Sequence, residues 1–411
     1  MSRLNLPRLH HSVWEFPVHY MRGGTSTGLL IWEPMAPAEE VLREELLGHM
    51  MGVATSGTSL GNKQITGLGR GSATSNKVFF ADVEPAQGGT RLVSTLAQLA
   101  ADHSRVDWSV NCGNMSSALQ LWALHTGLLE TPTPGLHSVE IRNTNTGVLT
   151  TSRMAVGADH QFLQAEIPGV MGHHPAVDLF LHRPAGAKTG LLLPTGNPVD
   201  IIDSIRVSCV DVAVPMVIAR AQDFGKTGHE SINELAQDSD FMARLKRVWV
   251  EAGLRMKLRR KNGELMSESD IQSSETIPKV CIISAARMGA DLSARYFTPQ
   301  TGHASLAVSG GCCLAVATLI PGSVAHELAP KRVTAERNEI SVNIENPAGI
   351  LSTKVVASLD DGNGLLIESA AYQRSAQILL SGYVPLYNAS LALRDSLEKI
   401  AAKQLAAATA R

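Results

Sequence analysis

Two residues in the first half of the chain have the types and settings for acid–base or thiol chemistry, Cys112 and Lys77. Cys112 lies in Val110-Asn111-Cys112-Gly113-Asn114-Met115-Ser116-Ser117-Ala118, just ahead of the apolar run Leu119 to Thr126 that Gly127 closes. That pattern predicts a buried helix with a C-terminal glycine. A thiol at a helix N-terminus meets free backbone N–H groups and the positive dipole end, which lower its pKa. The Asn and Gly beside it let backbone donors approach a carboxylate or a developing oxyanion. The plain alternative is an inert buried cysteine on a core helix. Lys77 ends Thr74-Ser75-Asn76-Lys77 and precedes the apolar strand Val78 to Val83. A partly desolvated ammonium there can release its proton near neutral pH, whereas an exposed strand-edge lysine would do nothing.

The elements that must position these groups follow from the pattern of the chain. Val18–Met21 and Leu29–Trp32 read as strands, joined by Arg22-Gly23-Gly24-Thr25-Ser26-Thr27-Gly28. Glycines and hydroxyls between strands make a tight turn with exposed donors, either a carboxylate cradle or a hairpin loop. A helix is expected from about Pro37 to Met51, strands at Leu92–Leu96, Arg105–Val110 and Val139–Arg142, and a turn at Asn143–Gly147. Cys112-Gly113-Asn114, a helix and Asn145-Thr146-Gly147 are echoed by Ser309-Gly310-Gly311-Cys312, a helix Cys313–Ile320 and Asn346-Pro347-Ala348-Gly349. The offset of roughly 200 residues predicts two similar halves, each with strands around one helix, and a ligand between two positive helix ends. Gly186–Gly190 reads as the crossover. Beyond it come a strand Leu191–Leu193 ending in Thr195-Gly196-Asn197, a strand Cys209–Val214, a helix from about Ser231 to Leu258, a polar link to Thr276, a strand Lys279–Ile283 and a loop Tyr296–His303.

Composition narrows the classes. At 411 residues, 44% apolar and net charge −2, the chain is an ordinary globular protein long enough for two domains, with no basic field for nucleic acid. The cluster Arg255 to Lys261 reads as a solvated helix face. No apolar run reaches membrane-spanning length and the N-terminus has no signal-like core, so a cytoplasmic protein is expected. The five cysteines form no CxxC pair and the fourteen histidines no metal-binding spacing, so neither a disulfide framework nor a metal is expected. Gly57-Thr58-Ser59-Leu60-Gly61 spells G-x-S-x-G but lacks the strand-to-helix setting of a nucleophile elbow. Gly67, Gly69 and Gly71 likewise miss the dinucleotide spacing and lead into a strand.

Several motifs in order carry a resemblance that no one of them could. Met21-Arg22-Gly23-Gly24-Thr25-Ser26, Gln64-Ile65 with Gly67-Leu68-Gly69, Thr74-Ser75 with Lys77-Val78, Val106–Ser109 with Asn111–Asn114, Leu193–Asn197 and Arg374-Ser375-Ala376 resemble the PrpF family across nearly the whole chain. The resemblance implies an α+β, diaminopimelate-epimerase-like fold of two pseudo-symmetric domains with the active site in the cleft between them. It further implies no cofactor and a small unsaturated di- or tricarboxylate as substrate. The expected domains are residues 1–186, with 380–411 packing back on them, and 187–379. Lys77 matches the family's catalytic lysine and Cys112 its catalytic cysteine. Asn111–Asn114 and Thr195–Asn197 match its substrate-contacting loops. The candidate substrate contacts are Arg22, Gly23, Gly24, Thr25, Ser26, Asn111, Gly113, Asn114 and Met115. From the second half come Thr195, Gly196, Asn197, His303, Ser309, Gly310 and Gly311. The chain departs from the family pattern at Thr27, usually Lys, at Thr66, usually Asp, at the extra residue Asn76, and at Ser309-Gly310, usually Thr-Gly.

The resemblance implies an isomerase that shifts a C=C bond through a dienolate, with Lys77 moving the proton and Cys112 assisting as acid or positioning donor. The reverse assignment stays open. Val106-Asp107-Trp108-Ser109 leans toward the 2-methylaconitate and aconitate branch, with 4-oxalomesaconate isomerisation as the alternative. A two-thiol racemase needs a second cysteine where the repeat places Ala307, and a non-catalytic accessory protein of a dehydratase needs neither base nor thiol. Partners are confined to the small carboxylate, without nucleic acid or membrane; a homo-oligomer is left open.

Overall fold

The computed structural model describes residues 6–71, 76–109, 111–130, 132–260, 262–362 and 364–409. They form two compact units. One comprises Met1–Glu166, Gly172–Leu179 and Arg374–Arg411, the other Ile167–Met171 and Phe180–Gln373.

In the first unit β1 (Val13–Gly23) turns back on β2 (Ser26–Trp32), and α1 (Glu40–Met51) leads through a long loop to β3 (Lys77–Ala86) and β4 (Gly89–Leu99). There follow α2 (Gly113–Ser116), α3 (Leu119–Thr126), β5 (Gly135–Asn143) and β6 (Leu149–Val156). β2 and β3 pair parallel, β3 and β4 antiparallel. Successive residues of these strands serve two cores. Leu30 and Phe79 face a cluster with Met115, Leu119 and Trp122, while Leu29, Ile31, Val78 and Phe80 face one with Leu46, Leu47, Met50, Leu393 and Leu397. A sheet covered on both faces needs apolar residues at both parities, which is why these strands read as continuous apolar runs. The expected central helix is there, closed by Gly127 at φ 77°.

The second unit repeats the plan. It runs through β7 (Ile205–Val212), β8 (Val214–Arg220), α4 (Ile232–Gln237), α5 (Ser239–Arg255), α6 (Glu268–Ser273), β9 (Lys279–Ser284) and β10 (Leu292–Thr298). Then come α7 (Val308–Ala317), α8 (Val324–Leu328), β11 (Asn338–Asn346), β12 (Gly349–Leu359) and β13 (Leu365–Leu386), whose residues from Arg374 onward belong to the first unit with the terminal α9 (Leu391–Thr409). Val210, Met216 and Ile218 pack on α7; Cys209, Val217 and Ala219 pack on α5.

Four expectations about elements are corrected. Leu191–Leu193 is a bend leading into the turn at Pro194–Thr195, not a strand. The carboxylate of buried Asp211 ties this crossover down by accepting from the N–H groups of Lys188 and Thr189. The helix from Ser231 to Leu258 is two helices, because Asp238 leaves helical geometry and its side chain accepts from Phe241 N, capping α5. α5 ends at Arg255, so most of the basic cluster lies beyond the helix, where Arg260 pairs with Asp270 at 2.6 Å; Lys261 is outside the described residues. Tyr296–Thr298 belongs to β10, not to a loop. Among the described residues no helix is long and apolar enough to cross a membrane.

One buried histidine makes a pH prediction. His19 on β1 is 8% exposed, accepts from Trp122 Nε1 at 3.2 Å, and is held at a pKa of about 4, first by burial and then by the neighbouring His125. Between the ordinary value of 6.5 and 4 the unfolded chain binds a proton that the folded chain refuses. Stability therefore falls as pH drops through that window, by at most about 3 kcal/mol from this group. His19→Gln keeps an acceptor for Trp122 but does not titrate. Urea unfolding at pH 7, 5.5 and 4.5 should show a shallower acid loss for the variant; equal slopes would assign the loss to other groups.

Candidate active site

The β1–β2 hairpin places the candidate residues of the first unit. Gly23 pairs with Ser26, leaving Gly24 and Thr25 as a two-residue turn with Gly24 at φ 54°, a left-handed conformation that suits glycine. The turn lies directly on α2. A Cβ on Gly23 would come 2.5 Å from the Asn114 carbonyl oxygen, and one on Gly24 2.5 Å from Asn114 Oδ1 and 2.8 Å from Arg374 Cδ. Asn114 Nδ2 donates to Thr25 Oγ1 at 3.2 Å, while its Oδ1 is buried without a hydrogen-bond partner among the described residues.

Arg22 braces this turn from below. Its Nη1 donates to Gly24 O (2.9 Å), Ser375 O (3.0 Å) and Ser375 Oγ (3.2 Å), and its Nε to Gln377 Oε1 (3.3 Å). The side chain is buried, which lowers its pKa from the ordinary value, and Nη2 makes no hydrogen bond among the described residues. A buried guanidinium with an unused N–H pair is a strong carboxylate donor.

Lys77 opens β3 beside the same hairpin. It is 6% exposed and its Nζ donates to Ser26 Oγ at 3.4 Å. Gly28 makes room for it, since a Cβ there would stand 2.6 Å from Lys77 O and 3.2 Å from Met115 Cε. The preceding Asn76 is fully buried and accepts from Arg70 N through its side chain and from Leu99 N through its carbonyl. The extra residue therefore pins the start of β3. Thr74 and Ser75 lie outside the described residues.

Cys112 is the N-cap of α2, with φ −128° and ψ 98°, and it is half-buried. Its N–H donates to Asn111 Oδ1 at 2.7 Å and its carbonyl accepts from Ser116 N and Oγ. One correction applies: the thiol stands before a four-residue turn of helix rather than at the head of α3, so the dipole behind it is that of α2 alone. Val110 is outside the described residues. The other four cysteines are buried, and burial pushes the Cys209 and Cys281 thiols up to about 12 and Cys313 well above its ordinary value. Cys112 alone combines access with a polar surrounding. Asn111 is exposed and Gly113 opens on free space, whereas the Met115 side chain is fully buried, its backbone against Gly23 and its Cε against Gly28 of the hairpin.

The remaining candidates belong to the second unit. Thr195 Oγ1 donates to Asp200 Oδ2 at 2.6 Å and Asn197 Nδ2 to Asp200 Oδ1 at 3.0 Å, fixing a turn around Gly196 at φ 81°. His303 donates its N–H to Tyr296 O and accepts from Ser305 N on Nδ1. Ser309, Gly310 and Gly311 lie inside α7 instead of ahead of the helix, which begins five residues earlier than expected, at Val308. Tyrosine rings occupy the space their side chains would need: a Cβ on Gly310 would be 2.5 Å from Tyr296, and one on Gly311 3.0 Å from Tyr372. Ala307 N-caps α7 as Cys112 N-caps α2, so the second unit has no thiol at the matching position. Two groups were missed by residue-level reading. Asp200 carries no motif; Arg374 and Ser375 were visible as a matched motif but gave no hint of their role. Among the described residues no three His, Cys, Asp or Glu side chains are placed to share a metal ion.

Residues 13–387 match the family model described as PrpF protein. The chain is 34% identical over 375 residues to the 4-oxalomesaconate tautomerase of Pseudomonas putida, covering 90% of this chain and 95% of that one. It is 26% identical over 395 residues to the 2-methyl-aconitate isomerase of Shewanella oneidensis, covering 89% and 95%. The crystal structure of methylitaconate-delta-isomerase superposes with a TM-score of 0.76 at 26% identity, covering 94% of this chain and 97% of that one. The fold is α+β of the diaminopimelate-epimerase-like class, and the relatives that share it are isomerases, which makes this chain an isomerase. The chain belongs to the PrpF family.

Proposed function

We propose that this isomerase moves a C=C bond in a small unsaturated tricarboxylate of the 2-methylaconitate or aconitate type, without a cofactor. The observation that carries the reading is the shared support of Lys77 and Cys112: Ser26 of the hairpin contacts Lys77 Nζ, and Gly23 of the same hairpin seats the helix that Cys112 caps. The amine form of Lys77 takes the allylic proton, the electron pair spreads into a dienolate, and the proton returns at the other end of the allyl system. Arg22, through its unused Nη2, stabilises the dienolate carboxylate, and Cys112 donates or positions. The absence of a thiol at Ala307 supports this reading over two-thiol epimerisation.

A second reading, 4-oxalomesaconate as substrate, is favoured by the higher identity to the tautomerase, 34% against 26% for the 2-methyl-aconitate isomerase. Proton NMR in D2O with cis-aconitate, 2-methylaconitate and 4-oxalomesaconate, each alone, decides between them. Double-bond migration or cis–trans conversion with one of the three names the branch; binding without turnover of any would return the accessory-protein reading.

Asp200 gives a separate test of the Thr195–Asn197 turn. Asp200→Ala frees both side chains it holds, and if they bind substrate carboxylate KM should rise about tenfold while kcat changes little. Unchanged KM in steady-state kinetics would remove this turn from the substrate site.

A further inference from the structure

The second unit holds a cavity of about 430 Å³ that none of the candidate site residues lines. It opens where β8 and β9, which pair parallel, both end, at Arg220 and Ser284. β10 runs antiparallel to β9 and leads to His303 and the start of α7, so the cavity lies at the end of β9 opposite the one from which the chain passes to His303 and Val308. Its volume is within the usual range for small-molecule sites, about 300–1,000 Å³.

The lining is one-sided in charge. Arg220, Lys226, Arg287 and His229 contribute to it, with the hydroxyls of Thr227 and Ser284, and no carboxylate does. Lys226 is neutralised from behind by Asp238, and His229 Nδ1 stands 3.4 Å from Glu345. Arg220 and Arg287 are different. Arg220 reaches Glu327 only at 3.9 Å, and that carboxylate already accepts from both Nη atoms of Arg206 at 2.6 and 2.9 Å. The Arg287 side chain makes no ion pair among the described residues, although its backbone N–H is used by Glu345. Arg287 therefore borders the cavity without an ion-pair partner among the described residues and Arg220 with only a long, shared one, beside a Thr227 hydroxyl that accepts from His229 N and keeps its own proton to donate.

Ser284, His229 and Glu345 are arranged in the order of a hydrolytic relay, but the hydrogen bonds exclude it. His229 Nε2 is 3.1 Å from Ala285 O and 3.4 Å from Ser284 Oγ. The nearer carbonyl requires a proton on Nε2, which leaves no lone pair there to accept from the serine.

We propose that this cavity is a second, non-catalytic binding site for a small polyanion, a phosphate or a di- or tricarboxylate, held by Arg287 and Arg220. The assignment is independent of which substrate the isomerase turns over. The test is isothermal titration of the full chain with inorganic phosphate and with citrate, in the wild type, Arg287→Glu and Arg220→Ala, beside turnover measured without added anion. Saturable binding of either anion, weakened about tenfold or more in Arg287→Glu with turnover unchanged, is the expected result, and the anion that binds tighter identifies the source. Arg287 is exposed, so its replacement leaves the fold intact. No saturable binding of either anion, or binding that both variants leave unchanged, would overturn the proposal.

Discussion

Lys77→Met should lower turnover of the accepted substrate about 10³-fold while the chain stays folded. Methionine keeps the unbranched apolar stem that fills the space beside Gly28 but has no lone-pair nitrogen to take the allylic proton. Because Lys77 is 6% exposed, Lys77→Ala would add a packing defect, and the methionine variant separates chemistry from stability. In D2O the wild type should place deuterium in the recovered substrate or the product unless the proton is returned without exchange; the variant should do neither exchange nor migration. Ser26→Ala should cost far less, since it removes only a 3.4 Å contact that orients Nζ. Cys112→Ala divides the mechanisms. Slow turnover with retained exchange keeps Lys77 as the base, whereas an active Lys77→Met enzyme with an inert Cys112→Ala would give the cysteine that role.

The settings of the two candidate residues were legible because each sits in a local pattern: an apolar strand after Lys77, an apolar glycine-closed run after Cys112. The repeat was legible for the same reason, and the turns it named at Asn143–Gly147 and Asn346–Gly349 join β5 to β6 and β11 to β12. What escaped is set by contacts distant in sequence. Arg22 finds Ser375 across 353 positions, and nothing near either residue announces the pairing. Ser309-Gly310-Gly311 reads as a loop on intrinsic propensity, yet it lies in α7, and its glycines are explained by Tyr296 and Tyr372, which fill the volume that Cβ atoms would take. The break at Asp238 shows the opposite case: a local cap, readable in principle, hidden inside a longer helical pattern.

Gly67→Ala should destabilise the chain by about 3 kcal/mol or more and carry activity down with it. The family-like motif around Gln64, Gly67 and Gly69 has no chemical group to offer, and the structure gives it a mechanical role. α1 ends at Gly52 in left-handed geometry, and the loop folds back over that end: Leu68 N donates to Met50 O, Gly69 N to Met51 O, and Gln64 Nε2 also to Met51 O. These bonds satisfy carbonyls that a helix end leaves open. The approach is so close that a Cβ on Gly67 would overlap Gly52 N and the Met51 carbonyl carbon, both backbone atoms that cannot swing aside. The loop must lift, and with it Gly71 and the Asn76 brace that sets the start of β3, hence Lys77. Gly61→Ala is the control, because Gly61 is left-handed at φ 72° but has nothing within 4 Å, so only backbone strain of about 1 kcal/mol is expected. Urea unfolding of the two variants should rank them clearly; a Gly67→Ala chain no less stable than Gly61→Ala would mean that the loop is free to leave α1 and that Lys77 is positioned by the hairpin alone.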